Sequence, residues 1–278
     1  MHRHQSISDL TRLCIHTQTH RPWDLKTCIR EFSHSGVNAI SIWRHLIEGQ
    51  DITEIRRLLK DTDMEVVSLV RGGFFASKEP EIRRKAIGDN LRAIGEAESI
   101  GTGMIVLVCG ADPRQSLEDS RNQIMEGIAQ ILPRAAEAGI RMAVEPLHPM
   151  YAADRSAINT LAEANDMAEA LQSDWVGVAV DVYHVWWDPQ LEEQIRRCGR
   201  MGKLFGFHVC DWKVETADLW SDRGLMGEGC IPLKQIRSWM EQSGFDGYHE
   251  VEIFSERYWS MDQQDYLERI MDAYLAHT

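Results

Sequence analysis

The sequence predicts an α/β protein, a single closed (β/α)8 barrel, and three observations carry that reading. Eight short β-type runs are spread along the 278 residues. Helix-period stretches separate them, the alternation that builds parallel sheets. Most of the runs are almost continuously apolar, as strands buried on both faces must be. The length suits one barrel domain, and no Gly/Ser linker or low-complexity tract divides it, so residues 1–278 read as one domain.

The runs are LCIHTQT (13–19), AISIWR (39–44), EVVSLVRG (65–72), MIVLVCG (104–110), RMAVEP (141–146), VGVAVDV (176–182), LFGFHVCD (204–211) and YHEVEIFS (248–255). Residues 81–101 carry apolar side chains at near-helical period and stop at Gly101, a C-cap candidate. Residues 116–139 also end on a glycine, with Pro133 expected to kink them. Residues 159–172 open on Asn159 as a cap candidate. Residues 232–244 open on a proline and stop at Gly244. The segment 211–231 has neither pattern, and long loops inside compact domains are usually functional. A doubly wound open sheet is the structural alternative. No Gly-x-Gly-x-x-Gly or Walker loop follows any run to support it.

Composition narrows the class. Apolar residues make up 44% of the chain, enough for a sizeable core. The formal charge of −13 opposes contact with a phosphate backbone, so no nucleic-acid partner is expected. Six cysteines at irregular spacing, with no C-x-x-C, read as free thiols in a reducing compartment. The start MHRHQSISDL lacks a signal-peptide core, and no apolar run could span a bilayer. A cytoplasmic protein with no membrane partner is the expectation.

In a barrel the carboxyl ends of the strands form the active face. MAVEP puts Glu145 at the end of a buried run, where a carboxylate must be compensated. The next three runs place Asp181, His208 and Glu252 at equivalent positions. Three carboxylates in one dry mouth repel each other unless protonated or bridged by a divalent cation. The alternative is a buried ion-pair network, which four matched positions make the weaker reading. An O3N donor set suits Mn²⁺ first, with Mg²⁺, Co²⁺ or Zn²⁺ as other candidates. Glu250 and Glu252 share a strand face, and Glu252 is preferred because it lies nearer the carboxyl end.

The segments VEPLHP, VAVDVYHVWWDP, GFHVCDW, GLMGEG and GFDGYHEVEIFS together resemble the sugar phosphate isomerase/epimerase family, the xylose isomerase-like TIM barrels. The resemblance runs from about residue 10 to about residue 275. It implies one divalent metal held by Glu145, Asp181, His208 and Glu252, with the two glutamates also moving the proton. It implies that His184 binds substrate oxygens, and that the protein is a homodimer or homotetramer. Two departures stand out. No second glutamate soon follows Glu145; PLHPMYAADR offers His148, Tyr151 and Asp154 instead. No arginine closely follows His208, leaving Arg223 to reach in from the loop. The family's three-zinc endonucleases need histidines where this chain has Trp43 and Arg71.

These residues predict a metal-dependent isomerase or epimerase of a ketose or keto-sugar, with the two catalytic groups Glu145 and Glu252 exchanging a proton through an enediolate. Elimination from a 3-keto-glycoside or keto-inositol is the rival enzymatic reading. A non-catalytic sugar-binding subunit is the third. Substrate contacts are expected from His184, His148, Lys213, Arg223, Arg71, Trp43, Trp186 and His16. The charged ones could equally be solvated and the tryptophans could simply pack the rim. GGFF (72–75) reads as a mobile lid or a packed loop, and Cys109 as a buried hydrophobe.

Overall fold

In a computed structural model, which describes residues 7–278, eight parallel strands close into one barrel in chain order. They are β1 (Leu13–His16), β2 (Ala39–Trp43), β3 (Glu65–Gly73), β4 (Met104–Val108), β5 (Arg141–Val144), β6 (Val176–Asp181), β7 (Leu204–Val209) and β8 (His249–Val251). The last closes on the first through Cys14 opposite Glu250. The helices are α1 (Leu25–His34), α2 (Ile52–Asp61), α3 (Pro80–Ile100), α4 (Leu117–Ala138), α5 (Leu161–Ala170), α6 (Val182–Val185), α7 (Leu191–Arg200), α8 (Leu233–Gln242), α9 (Glu256–Trp259) and α10 (Gln263–His277). All eight expected strands form, most of them shorter at their carboxyl ends than the apolar runs suggest. There the chain leaves the ladder to aim polar side chains into the mouth; residues 17–20 become a 3-10 turn, and Glu252 lies just past β8.

The strands read as continuous apolar runs because they have two cores to fill. Alternate residues such as Ile15, Ile42, Leu69 and Leu107 pack outward under the helices. Val70, Met104, Val106, Ala143 and Ala179 form a smaller cluster. This is the period of two expected of a strand. Gly101 and Gly139 both take left-handed cap conformations after α3 and α4. Two local expectations change. Helix α4 runs across Pro133 without a break. The cap of α5 is Thr160 rather than Asn159, because Thr160 and Glu163 form a reciprocal capping box. GGFF is no free lid: Gly72 and Gly73 end β3, Phe74 and Phe75 donate backbone hydrogen bonds to the carbonyls of Val108 and Cys109 at 2.9 Å each, and Phe75 is buried. All six cysteines are free. Among the described residues no helix is long and apolar enough to cross a membrane.

Two buried histidines give the fold a defined acid sensitivity. His20 stacks on Trp23 with centroids 4.6 Å apart, and burial pushes its pKa down to about 3. His249 sits against Tyr274, and burial, helped by Arg12 and Arg237, takes it to about 3 as well. Both rings are neutral in the fold but bind protons in the unfolded chain below its value of about 6.5. Their contribution is therefore intact above about pH 6.5 and lost as pH falls toward about 3. Each should remove about 2 kcal/mol by about pH 5. Thermal unfolding in chelator across that window checks this. His20→Phe should soften the acid slope; an unchanged slope would refute the assignment.

Candidate metal and substrate site

Glu145, Asp181, His208 and Glu252 come together at the mouth of the barrel from four adjacent strands. One donor atom from each lies within 4.8 Å of the others, and all four residues are buried. Donors about 2.0–2.2 Å from a common ion stand at most about 4.4 Å apart, so small side-chain adjustments would seat one cation. The chemistry of the set points the same way. His208 Nδ1 and Glu145 Oε1 are 2.8 Å apart, yet neither has an aligned hydrogen-bond partner. Two lone pairs converging on a shared ion have this geometry, whereas a hydrogen-bonded pair does not. The residues therefore fit a divalent metal.

A polar layer lies underneath. Glu250 accepts from Ser41 Oγ at 2.6 Å and Ser68 Oγ at 3.2 Å. It also meets His16 Nε2 at 3.2 Å and lies 3.8 Å from His208 Nε2. His16 Nδ1 stands 2.9 Å from Glu252 Oε1. His16 is thus fully buried between two glutamates and sits behind Glu252, not on the cavity wall as a substrate contact. The Nε2 contact holds the ring by Glu250, while Nδ1 faces Glu252 without an aligned hydrogen bond; a ring placed this way positions the ligand beside it.

The electrostatics follow from this crowding. Burial, only partly offset by Arg223, raises the pKa of Asp181 to about 7. Burial works against charge on Glu252 too, but His16 and Arg223 hold its carboxyl well below the usual range. For His208, burial is overcome by Glu250, Glu145 and Glu252, which raise it to about 10. His184 goes the other way: burial and the adjacent Arg223 push its pKa well down, so the ring is neutral.

The long loop after β7 delivers Arg223. Asp211 anchors it, accepting from the backbone N–H groups of Trp212, Gly227 and Ile231 at 2.8, 3.0 and 3.0 Å. The loop needs Gly229, where a Cβ would sit 1.9 Å from the Trp212 carbonyl oxygen. Tyr151 and Tyr183 both donate to the Leu219 carbonyl, at 3.0 and 2.9 Å. Arg223 ends with its guanidinium 4.5 Å from the rings of both Tyr183 and Phe254. Its Nη1 reaches Asp181 Oδ2 at 3.2 Å and Glu252 Oε2 at 3.1 Å. Its Nη2 lies 3.4 Å from His184 Nε2. The same Nε2 lies 3.5 Å from Asp181 Oδ2; an arginine only donates, so the Arg223 contact assigns the neutral ring's proton to Nδ1. That Nδ1 has no partner within the protein.

A cavity of about 100 Å³ opens over this cluster, and Glu145, Glu252, His184, Arg223, Trp43 and Arg71 all line it. Three other expected contacts lie elsewhere. Lys213 pairs with Asp222 at 2.5 Å and braces the loop beside Arg223. His148 packs against Trp187 and Trp212. Trp186 packs on Trp212, 5.7 Å away, in the same aromatic cluster. These side chains are used in packing and do not border the cavity. Tyr151, Arg155, Trp220 and Phe254 do border it, and of these the sequence reading singled out only Tyr151. Arg155 closes the PLHPMYAADR segment, whose departure from the family pattern was the available signal.

Comparison with known proteins agrees with this architecture. The crystal structure of protein SMc04130 from Sinorhizobium meliloti 1021 superposes with a TM-score of 0.92 at 41% identity, covering 96% of this chain and 98% of that one. The structure of the IOLI protein with a bound zinc atom matches with a TM-score of 0.84 at 18% identity, over 95% of this chain and 96% of that one. The inosose isomerase of Bacillus velezensis is 19% identical over 87% of this chain and 86% of its own length. The family model described as xylose isomerase-like TIM barrel matches residues 29–274. The chain belongs to the xylose isomerase-like TIM barrel family.

Proposed function

We propose that this protein is a divalent-metal-dependent isomerase or epimerase of a ketose or keto-sugar. The observation that carries the reading is the buried four-donor cluster whose two glutamates stand on the strands flanking Asp181 and His208. The isomerase name of one relative and the zinc in another's structure support it. Manganese is the proposed ion on the strength of the O3N donors.

A divalent cation held there supplies Lewis acidity toward a carbonyl and its neighbouring hydroxyl. The protein does the rest. Glu145 and Glu252 approach the reacting carbon from two sides; one accepts the proton from the C–H bond, whose electrons pass into the enediolate. The other, in its protonated form, delivers its proton to the opposite face, or to the adjacent carbon while the hydroxyl proton passes to the former carbonyl oxygen; the proton taken from carbon then returns through solvent to reset the pair. His184 Nδ1–H is free to donate to a substrate oxygen. Arg223 fixes His184, Asp181 and Glu252 in place. Trp43, Trp220 and Phe254 shield the enediolate from water.

Incubation of the Mn²⁺-loaded protein in D2O with ketoses, 3-keto-glucosides and keto-inositols, followed by NMR, tests this. Deuterium entering beside the carbonyl of an isomerised product is the expected result. Exchange accompanied by loss of an aglycone or of water would instead make the enzyme a lyase. Tight sugar binding with no exchange would leave a binding protein.

A further inference from the structure

Two arginines in the cavity wall lack the carboxylate partners that Arg44 and Arg223 have. Arg44 illustrates the rule. It borders a separate groove of about 410 Å³ and is matched there by Asp89 at 2.8 Å and Glu96 at 2.6 Å. Arg223 is matched by Asp181 and Glu252. Arg71 and Arg155 both border the cavity over the donor cluster, and neither is matched. Among the described residues the Arg71 guanidinium has no carboxylate within 4.0 Å and donates no hydrogen bond. It lies 4.3 Å from the ring of Phe74 and 5.9 Å from that of Trp43. Arg155, whose side chain is 37% exposed, has only its exposed neighbour Asp154, 3.9 Å from its Nε, and that Nε makes no hydrogen bond. Its guanidinium lies 5.5 Å from Tyr151 and 6.0 Å from Trp220.

Rings can hold a guanidinium in place, but they leave its in-plane N–H donors unused. The two cations are also close enough to disfavour each other: after burial, Arg155 is the largest cause lowering the Arg71 pKa. Keeping the enclosed Arg71 guanidinium beside a second cation costs stability that an anion between them would offset. Planar forks of this kind match carboxylate and phosphate oxygens two at a time. Arg71 lies on β3 and Arg155 beyond β5, whereas three of the four donors come from the β6, β7 and β8 side. A ligand spanning the cavity would therefore meet the donor cluster at one end and two cations at the other.

We infer that the substrate carries an oxyanion, a carboxylate or a phosphate, bound between Arg71 and Arg155. This rests on the reading that a keto-sugar occupies the donor cluster, and the test separates the two claims. Calorimetric titration of the Mn²⁺-loaded protein would use three ketoses sharing one skeleton: the neutral sugar, its terminal carboxylate and its terminal phosphate. One anionic form should bind at least ~10-fold more tightly than the neutral one, and which one it is assigns the anion. Combining Arg71→Gln with Arg155→Gln should bring the three affinities to within ~3-fold of one another. Arg71→Lys, which keeps the charge but loses the fork, should retain part of the preference. Circular dichroism confirms that each variant folds. Equal binding of all three ligands by the parent protein, absence of binding by either anion, or a preference that survives in the double variant would overturn the inference. Anion preference without deuterium exchange would instead count against the isomerase reading while leaving this one standing.

Discussion

Glu145→Gln and Glu252→Gln are each expected to lower kcat by about 10³-fold, because an amide cannot accept the substrate proton. Both residues also belong to the donor cluster, so lost activity alone would not separate proton transfer from metal loss. Asp181→Asn provides the comparison. Asp181 shares the cluster but carries no assigned proton-transfer role, so its variant should need more Mn²⁺ yet recover much more of its kcat at saturation. Metal content measured beside activity distinguishes the cases. Exchange in D2O adds a sharper reading when the substrate is one of an epimeric pair. Each glutamine variant keeps one working carboxylate and should still exchange deuterium into one epimer while failing to convert it. Near-parental kcat in either variant would remove that residue from the chemistry.

The barrel and the donor set were legible because each is written in local order. Double-sided burial makes strands stand out as apolar runs, and a carboxylate or imidazole closing such a run is conspicuous in any sequence. The two glutamates the sequence placed on one strand face part in the fold: Glu250 is sealed beneath with Ser41 and Ser68, while Glu252, just past β8, borders the cavity. What was not legible depends on how loops fold back. Lys213 and Arg223 lie ten residues apart in one irregular segment with similar composition. Long-range anchors decide that Arg223 turns inward and Lys213 turns to Asp222: the Asp211 carboxylate, the Tyr151 and Tyr183 hydroxyls on the Leu219 carbonyl, and the Arg223 N–H on the Phe254 carbonyl. His16 misled for another reason. A polar residue ending β1 looks like a wall residue until the closure of β8 against β1 shows its ring buried between Glu250 and Glu252. Arg155 lies in an irregular segment after a short 3-10 turn, where no periodicity reports which way a side chain points.

Arg223→Met should destabilise the metal-free protein by about 3–5 kcal/mol, the usual cost of stranding buried charges by removing one partner. In a chain of 278 residues that is a fall of roughly 5–9 °C in Tm. The size follows from charge balance. Glu145, Asp181 and Glu252 bring three carboxylates to one enclosed volume, and Arg223 is the guanidinium paired directly with two of them, one of which, Asp181, is already only partly ionised near pH 7. Arginine and a divalent ion together would neutralise all three carboxylates, so saturating Mn²⁺ should recover much of the lost Tm in the variant. The same ion should raise the Tm of the parent less. Arg223→Lys sharpens the point. It restores the charge, but a single ammonium cannot lie between the Tyr183 and Phe254 rings while also bridging Asp181, Glu252 and His184. Its Tm should lie nearer the parent and its kcat nearer the methionine variant. A methionine variant that melts with the parent in chelator would show that Arg223 is not what compensates these carboxylates, and that their charge is relieved by protonation instead.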